Sequence, residues 1–453
     1  MNVDPASERP AGQVPDEDRP PAEIRTLCIA DYVGTKRDGG SMRLHELMKS
    51  VCAMGPSHLL LLNPVDDDAK HMVAKSLAVP VTAIRTEVVG RWRALAHWLR
   101  HPSMPWEVAR LDRQNLSPQI AALVTELSPN LIWTTSVKGW DSLSVACRQK
   151  SVVDLIDGFS VADSMMVRLS IRRWTRRGYF RLIGRPMWDA PGTPRVRDFL
   201  KHLDGAIRGP SLERFLTRNS RAVIVSHRVG CRYSQMLIVP NGFDPVKVRR
   251  TGVFNETRFV FPANFRYEPN LDGAEWFIQS ILPRLREEAG GPRVIFAGAV
   301  RDGLALYGKR NGVEVLGPFE SLDQLVDDES VVIVPLLAGT GTRLKILEAW
   351  SMGLPVVSTT VGAEGLGAVD RENILLADSA ASFAAACTEV ARSKSLRERI
   401  ALGGLETVEA FRWGAITEEL QRTVALMVSD RADASEVSMS CRPADERDTH
   451  RPA

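Results

Sequence analysis

Short runs of apolar and β-branched residues alternate along the chain with longer stretches in which apolar residues recur every three or four positions. The short runs are too continuously apolar to alternate between a buried and an exposed face, which is typical of strands covered on both sides. The longer stretches have the period of amphipathic helices. The pattern therefore predicts parallel sheets built from right-handed strand–helix–strand units.

The predicted strands fall into two groups along the chain. Those of the first group are 26–30, 58–63, 81–87, 131–136, 151–156, 222–226 and 236–240, and those of the second are 258–264, 293–299, 313–317, 331–337, 355–360 and 374–378. About thirteen strands are too many for one ordinary open sheet. Residues 241–257, between the groups, contain Asn-Gly, a proline and mixed charge, as linkers do. The strand count and this linker disfavour the alternative, an eight-fold barrel.

We therefore predict an α/β fold with two doubly wound, Rossmann-like parallel-sheet domains that face a cleft. The first domain is predicted at 24–240 and the second at 258–410, with the linker 241–257 between them. Residues 1–23 and 429–453 are rich in proline and charged residues and are predicted to be disordered tails. Ligands of such sheets bind beyond the carboxyl ends of the strands.

Composition narrows the class of protein only slightly. Of 453 residues, 44% are apolar and 25% are charged, and the net charge is +3, which does not indicate a nucleic-acid partner. The six cysteines are scattered without a C-x-x-C pair, which argues against a zinc site and favours a reducing compartment. No apolar run reaches the ~20 residues of a membrane span, and the start of the sequence does not resemble a signal peptide. These features predict a cytoplasmic protein.

The main candidate for chemistry is AGTGTRLKILEAW, residues 338–350, which follows a predicted strand. Arg343 and Lys345 lie where a helix should begin, and bases at a helix N-terminus cost roughly 0.3–1 kcal/mol each. A surface salt bridge between Lys345 and Glu348 would contribute only ~0.2–0.5 kcal/mol and leaves this placement unexplained.

An anionic ligand would explain the two bases. Backbone N–H groups of the turn, together with Arg343 and Lys345, form a predicted diphosphate site, and Glu348 would accept hydrogen bonds from ligand hydroxyls. The turn residues of this site are Gly39 and Gly40 in an earlier loop, and Gly339, Thr340, Gly341 and Thr342 in this one. The spacing differs from G-x-x-x-x-G-K-[ST], so the turn is not a P-loop.

Two earlier loops also follow predicted strands. Gly39 and Gly40 precede an amphipathic helix, which suits a close approach to phosphate, although flexible turns use glycine as well. Asp157 follows the strand at 151–156, where catalytic groups of α/β folds collect, although Asp-Gly is also a common turn. The residues alone leave both alternatives open.

The segment RLSIRRWTRRGYFRLIGR, residues 168–185, has seven arginines and no acidic residue, with aromatic residues between them. Such a stretch favours an anionic membrane surface or an anionic lipid-linked acceptor. An exposed helix of a soluble enzyme is the alternative. Nucleic acid is not predicted, because no recognised binding module surrounds the segment.

The sequence GTGTRLKILEAWSMGLPVVSTTVGAEGL resembles the donor-site segment of group 1 (family 4) glycosyltransferases, in the variant that carries a GTRLK…E motif. The segments VSHRVG, IVPNGFD and FRWGAITEELQ are similar to family segments in the same order. The resemblance implies the GT-B fold and transfer of a sugar from a UDP- or GDP-linked donor to an acceptor hydroxyl. Exopolysaccharide or another cell-surface glycan is the expected product, with a glycan, a lipid-linked molecule or a small molecule as acceptor.

The resemblance also implies roles for parts of the chain. Residues 258–410 would bind the nucleotide sugar, 24–240 would form the acceptor side, and 411–428 would be a helix that crosses back to the first domain. Glu348 would contact the ribose. Gly39 and Gly40 would approach the diphosphate.

Three positions depart from the family pattern. Thr340 stands where relatives often have a sugar-binding glutamate, and Asp157 replaces a histidine. Asn264 occupies the place of a donor-binding arginine, so we expect Arg343 and Lys345 to supply the charge for the diphosphate, with help from Arg266.

The implied reaction is a hexosyl transfer with retention of configuration, without a metal ion or another cofactor. Asp157 would be the general base of an inverting reaction or would only orient the acceptor. Two alternatives remain: a GT-B sugar-nucleotide epimerase and a non-catalytic nucleotide-sugar-binding or assembly protein.

Overall fold

The computed structural model describes residues 23–31, 39–62, 67–156, 162–171, 196–227, 233, 236–244, 257–289, 291–300 and 302–429. The strands within these ranges form two parallel sheets, one of seven strands and one of six. The predicted α/β fold with two doubly wound domains is therefore confirmed.

The first sheet has the strand order β3-β2-β1-β4-β5-β6-β7, and every neighbouring pair is parallel. Its strands are β1 (Thr26–Ala30), β2 (Ser57–Leu62), β3 (Val81–Ile84), β4 (Leu131–Thr134), β5 (Ser151–Asp154), β6 (Ala222–Val225) and β7 (Met236–Ile238). The helices of this half are α1 (Gly39–Cys52), α2 (Asp67–Leu77), α3 (Arg91–Arg100), α4 (Trp106–Ala109), α5 (Arg113–Leu127), α6 (Val137–Asp141), α7 (Val145–Arg148), α8 (162–171) and α9 (Val196–Asn219).

The second sheet has the order β10-β9-β8-β11-β12-β13 and is also parallel. Its strands are β8 (Arg258–Pro262), β9 (Arg293–Ala297), β10 (Glu314–Leu316), β11 (Ser330–Val334), β12 (Val356–Ser358) and β13 (Leu375–Leu376). The helices are α10 (Glu268–Trp276), a π-helical turn (Phe277–Ile281), α11 (Leu282–Ala289), α12 (Asp302–Arg310), α13 (Leu344–Ser351), α14 (Ala380–Arg392), α15 (Lys394–Val408) and α16 (Trp413–Val428), with short 3₁₀ turns at Leu322–Gln324, Val361–Ala363 and Glu409–Phe411.

Each sheet reverses its strand order at one point, between β1 and β4 in the first sheet and between β8 and β11 in the second. In open α/β sheets, ligands bind outside the carboxyl ends of the strands at such a switch point. The carboxyl end of β1 and the start of α1 at Gly39 lie at the first of these points. The loop from β11 to α13, which contains GTGTR, lies at the second.

The central strands are fully buried because helices cover both faces of each sheet, as their continuous apolar sequences predict. Helix α16 belongs to the core of the first half although it ends the described chain. Its residues Trp413, Ile416, Leu420 and Val424 join the apolar cluster around β1 and α1. Its Gln421 Nε2 also donates to the carbonyl of Ser50 on α1 at 2.8 Å.

Candidate functional site

The loop between β11 and α13 has a backbone conformation that its glycines permit. Gly341 has φ +79°, in the left-handed region that residues with a Cβ seldom adopt. The chain then enters α13, with Arg343 at the N-cap position and Leu344 as the first helical residue. Helix α13 therefore begins within the pattern GTGTRLK, as the sequence predicts. We refer to residues 339–345 as the donor loop.

Arg343 holds the donor loop together from inside. Its side chain is only 6% exposed. Its Nη1 donates to the carbonyls of Thr340 and Gly341, and its Nη2 donates to the carbonyl of Val361 at 3.2 Å. A Cβ on Gly339 would lie 2.7 Å from Nη2, so any larger residue there would displace the end of the Arg343 side chain. The guanidinium therefore shapes the loop, and its charge would act on an anion from beneath the loop.

Lys345 lies in a largely apolar setting on α13. Its Nζ donates to Asn270 Oδ1 at 2.8 Å and lies 4.9 Å from the centre of the Phe261 ring. Burial, and secondarily the charge of Arg343, lower the pKa of Lys345 to about 7. An anion bound beside Lys345 would favour its protonated form and would replace part of the lost hydration.

Glu348, one turn after Lys345, is half-buried. Its Oε1 accepts a hydrogen bond from the backbone N–H of Leu322 at 3.2 Å, and burial raises the pKa of its carboxyl group. Lys345 and Glu348 do not pair with each other in the described part of the chain, since Lys345 faces Asn270. The surface salt bridge that could have explained these residues is therefore not formed.

Two further predicted donor residues are Thr342, within the loop, and Arg266, beside it. Thr342 Oγ1 accepts a hydrogen bond from the backbone N–H of Asn241 at 3.1 Å, which links the donor loop to the end of the first half. Arg266 is exposed in the loop after β8, and its backbone N–H donates to Asn264 Oδ1 at 3.0 Å. Because β8 and β11 are neighbours, both loops lie at the second switch point.

A carboxylate that sequence reasoning did not single out, Glu364, lies close to Arg343. Burial raises the pKa of Glu364 while the charge of Arg343 opposes that shift. The motif GAEGL contains this residue, but its spacing alone does not indicate which side chain it approaches. The next residue, Gly365, lies near the first half of the chain, since a Cβ built on it would be 3.5 Å from Cβ of His227.

In the first half, α1 begins at Gly39, as the amphipathic pattern predicts, so Gly39 and Gly40 stand at the start of a helix at the switch point. Asp157 lies outside the described residues. The chain that leads to it is unusual, because Ile156 has φ +60°, which is rare for a β-branched residue. Of the basic segment 168–185, only 168–171 is described, as the end of α8.

Within the described ranges, no group of three or more His, Cys, Asp or Glu side chains is arranged to hold a metal ion. The helices described there also include none with the length and apolar character of a membrane span. The donor loop itself contains an arginine, a lysine and backbone N–H groups.

Comparisons with known proteins agree with this fold. Residues 256–393 match the sequence model of the family described as "Glycosyl transferases group 1". An uncharacterized 44.6 kDa protein in the cps region of Klebsiella pneumoniae is 26% identical over 159 residues, which is 33% of this chain. The matched part spans 41% of that relative's length.

Solved structures with similar folds include one described as a glycosyltransferase and two that contain UDP. The structure of HepE from Anabaena in complex with UDP has a TM-score of 0.56 at 16% identity and covers 89% of this chain and 100% of its own. A glycosyltransferase from Rickettsia africae has a TM-score of 0.60 at 10% identity and covers 91% of this chain and 100% of its own. TarM of S. aureus, in a complex that includes UDP, has a TM-score of 0.58 at 8% identity and covers 89% of this chain and 100% of its own.

The likeness to these structures extends over both sheets, and the family match includes the whole of the donor loop. Residues 256–393 are therefore similar to a group 1 glycosyltransferase domain, and they form the second half of a two-domain fold of the GT-B class.

Proposed function

We propose that the protein is a glycosyltransferase that moves a sugar from a nucleotide sugar to an acceptor hydroxyl in cell-surface polysaccharide synthesis. The observation that carries this proposal is the match of 256–393 to the group 1 family, because that range includes the complete donor loop. The relative in the cps (capsule) region favours a cell-surface glycan as the product.

The proposed donor is a UDP- or GDP-linked hexose. HepE, which has a similar fold, has been crystallised with UDP and with UDP-glucose. In this chain, Lys345 and the N–H groups of residues 339–342 would face the diphosphate, and Glu348 would accept hydrogen bonds from the ribose. Arg266, at the neighbouring strand end, would approach the donor from the other side of the switch point.

The donor loop suits the charge that this reaction develops. When the bond between the sugar and the diphosphate breaks, negative charge accumulates on the leaving oxygen. Lys345 and the field of Arg343 would stabilise that charge. The N-terminus of α1 at Gly39 and Gly40 would contribute from the opposite side of the cleft. We propose that these groups suffice without a metal ion, so activity should survive chelation by EDTA.

The stereochemical outcome depends on the acceptor side. We propose retention of anomeric configuration, as the family resemblance implies, with Asp157 orienting the acceptor hydroxyl. If Asp157 were instead a general base, it would take the acceptor's proton and the reaction would invert. Nuclear magnetic resonance of the product anomer separates the two roles. Asp157→Asn should abolish turnover only if Asp157 is the general base.

The acceptor is proposed to be presented at an anionic membrane surface on the cytoplasmic side. Helix α3 has the sequence RWRALAHWLR, with three arginines and no acidic residue. Its Trp92 and Leu99 are 83% and 63% exposed. Exposed aromatic and aliphatic residues between arginines are typical of helices that lie on bilayers.

Helix α9, beside α3, has a similar apolar surface. Trp98 Nε1 on α3 donates to Asp204 Oδ1 on α9 at 3.0 Å. Near this contact, Val196, Leu200 and Ile207 follow one side of α9 and are all exposed. Trp92→Glu/Leu99→Glu should reduce flotation with vesicles that contain phosphatidylglycerol and leave donor hydrolysis unchanged. Equal flotation of the variant and the parent protein would remove this part of the proposal.

The main test of the function is incubation with a panel of UDP- and GDP-sugars, followed by detection of released nucleoside diphosphate. A transferase should release it slowly with water and faster with a suitable acceptor. A binding protein would bind the nucleotide sugar and release none, and an epimerase would change the sugar without releasing the nucleotide. Either result would replace the proposed function.

A further inference from the structure

Arg43 and Asp154 form an ion pair in the interior of the first half. Arg43 lies on α1, four residues after Gly39, and Asp154 ends β5; both side chains are 0% exposed. The Nε of Arg43 lies 3.3 and 3.2 Å from Oδ1 and Oδ2 of Asp154, and its Nη2 lies 3.0 Å from Oδ1. Two charges removed from water seldom improve stability over an apolar pair of similar size. The buried pair therefore points to a role other than stabilising the fold.

The remaining nitrogen of Arg43 reaches a third segment of the chain. Its Nη1 donates to the carbonyl of Val239 and to Asn241 Oδ1, the latter at 3.1 Å. Both acceptors follow β7, where the chain leaves the first sheet. The planar guanidinium therefore fixes α1, the end of β5 and the turn after β7 relative to one another.

Asn241 extends this network to the second domain. Its backbone N–H donates to Thr342 Oγ1 in the donor loop at 3.1 Å. Two residues later, Phe243 exchanges backbone hydrogen bonds with Phe411 and Trp413, at 2.9 and 3.2 Å. The chain passes between the two halves twice, near 241–243 and near 411–413, and these two segments pair with each other. The donor loop is hydrogen-bonded to the first of them.

The other end of the network reaches Ile156, which follows β5. The Oδ1 of Asp154 also accepts a hydrogen bond from the backbone N–H of Ile156 at 3.1 Å. Ile156 has φ +60°, and a β-branched residue keeps such a conformation only where its surroundings impose it. Asp154 therefore sets the direction in which the chain leaves β5.

We propose that Arg43 is a positioning residue for sugar transfer: through Asp154 and through Asn241–Thr342 it holds residues 155–156, which follow β5 on the acceptor side, in register with the donor loop. It acts on both segments without contacting the donor. This inference rests on the proposed function for its meaning. The physical link between the two loops is testable without any turnover.

The direct test is amide hydrogen exchange of the full chain without ligand. Arg43→Lys keeps the charge but loses the fork that joins Asp154 to Asn241. Exchange should become faster by about 2- to 10-fold, as expected for one lost hydrogen bond, both at 151–156 and at 339–345 across the domain boundary. Faster exchange at 151–156 alone would show a local structural role and would overturn the proposal. Residues 380–392 of α14 are the internal control.

Thr342 provides a second variant that leaves the ion pair intact. Thr342→Val should reproduce the faster exchange at 339–345 without an effect at 151–156, and Thr342→Ser, which keeps the hydroxyl, should resemble the parent protein. If Arg43→Lys does not fold, an unchanged exchange rate at 339–345 in Thr342→Val would still overturn the link.

Measurements of kcat and Kd test whether the hydrogen bond between Asn241 and Thr342 matters for sugar transfer. In Thr342→Val, kcat should fall about 10-fold or more, because small misplacements of reacting groups are costly, while the Kd for UDP or GDP changes by less than about 3-fold. A Kd that rises as much as kcat falls would instead assign the Thr342 hydroxyl to direct donor binding. Failure of the parent protein to turn over any nucleotide sugar would overturn the proposed function and leave the exchange result standing.

Discussion

Arg43 and Arg343 are both buried near the start of a helix that follows a switch-point loop, yet they connect different parts of the molecule. Arg43 joins groups that are 111, 196 and 198 positions away along the chain. Arg343 joins carbonyls that are 2, 3 and 18 positions away. Arg43 therefore joins distant segments of the chain, whereas Arg343 joins parts of the donor loop to one another and to the turn at Val361. Similar burial of two arginines does not imply similar roles.

The largest expected effect follows from Arg43. Arg43→Met would leave the carboxylate of Asp154 buried without its cation, which typically costs about 3–5 kcal/mol of unfolding free energy. Urea unfolding followed by circular dichroism measures this change. Arg43→Met/Asp154→Asn should recover part of the loss, because the unpaired charge is removed as well. A stability within ~0.5 kcal/mol of the parent protein would contradict a structural ion pair.

The second effect follows from Arg343, and it should appear in activity more than in stability. Arg343→Met removes the donor to two donor-loop carbonyls and to the carbonyl of Val361, and we expect a stability loss of about 1–3 kcal/mol. The loss of a preorganised charge beneath the diphosphate should lower kcat/KM by about 10²–10³-fold. If the ratio of activity loss to stability loss were the same in Arg43→Met and Arg343→Met, the contrast between the two arginines would be wrong.

A smaller effect is expected at Glu348, whose carboxylate already accepts from Leu322 N–H. Glu348→Gln keeps an acceptor for that N–H but weakens hydrogen bonds to ligand hydroxyls, by about 1.5–3 kcal/mol where a charged partner is lost. Calorimetry should show weaker binding of UDP or GDP, and the 2′-deoxy and 3′-deoxy nucleotides identify the hydroxyl. If every nucleotide lost the same affinity, Glu348 would have a structural role only.

The smallest effect is a pH dependence from Lys345. Its pKa is lowered to about 7 in the free protein, and an adjacent anion would raise it, so binding of a diphosphate should be coupled to uptake of a proton. Affinity should therefore fall as pH rises above about 7, by at most about tenfold per pH unit. Calorimetry at several pH values in buffers of different ionisation enthalpy measures both quantities. Lys345→Met should abolish the dependence, and a parent protein with constant affinity from pH 6 to 9 would contradict the assignment.

Much of the fold could be predicted from the sequence because its signals are local. Each of the predicted strands, such as 26–30 and 331–337, coincides at least in part with an observed strand, since a continuous apolar run has few alternatives in a doubly wound fold. The observed strands mostly stop short of the predicted carboxyl ends. The last residues of those runs, such as Leu336 and Leu337 after β11, already belong to the cleft loops.

The candidate site was less predictable because its contacts are long-range. The sequence indicates that Arg343 and Lys345 need an explanation, but it does not show that Arg343 turns beneath its loop. The partner of Lys345 is Asn270, 75 positions away, and such a pairing leaves no trace in local spacing. Arg43 is one of several polar residues on an amphipathic helix and Asp154 ends an apolar strand, and only the fold of the first half brings them together.

The central claim is that the donor loop binds the diphosphate of a nucleotide sugar, and calorimetry of nucleoside diphosphates with the parent protein and Lys345→Met tests it most directly. UDP or GDP should bind the parent protein, and its Kd should be about 10–100-fold higher in the variant, as expected for loss of a hydrogen bond to a charged group. The matching nucleoside, which has no phosphate, should bind both proteins alike. Equal Kd values for the nucleoside diphosphate in the two proteins would contradict the account.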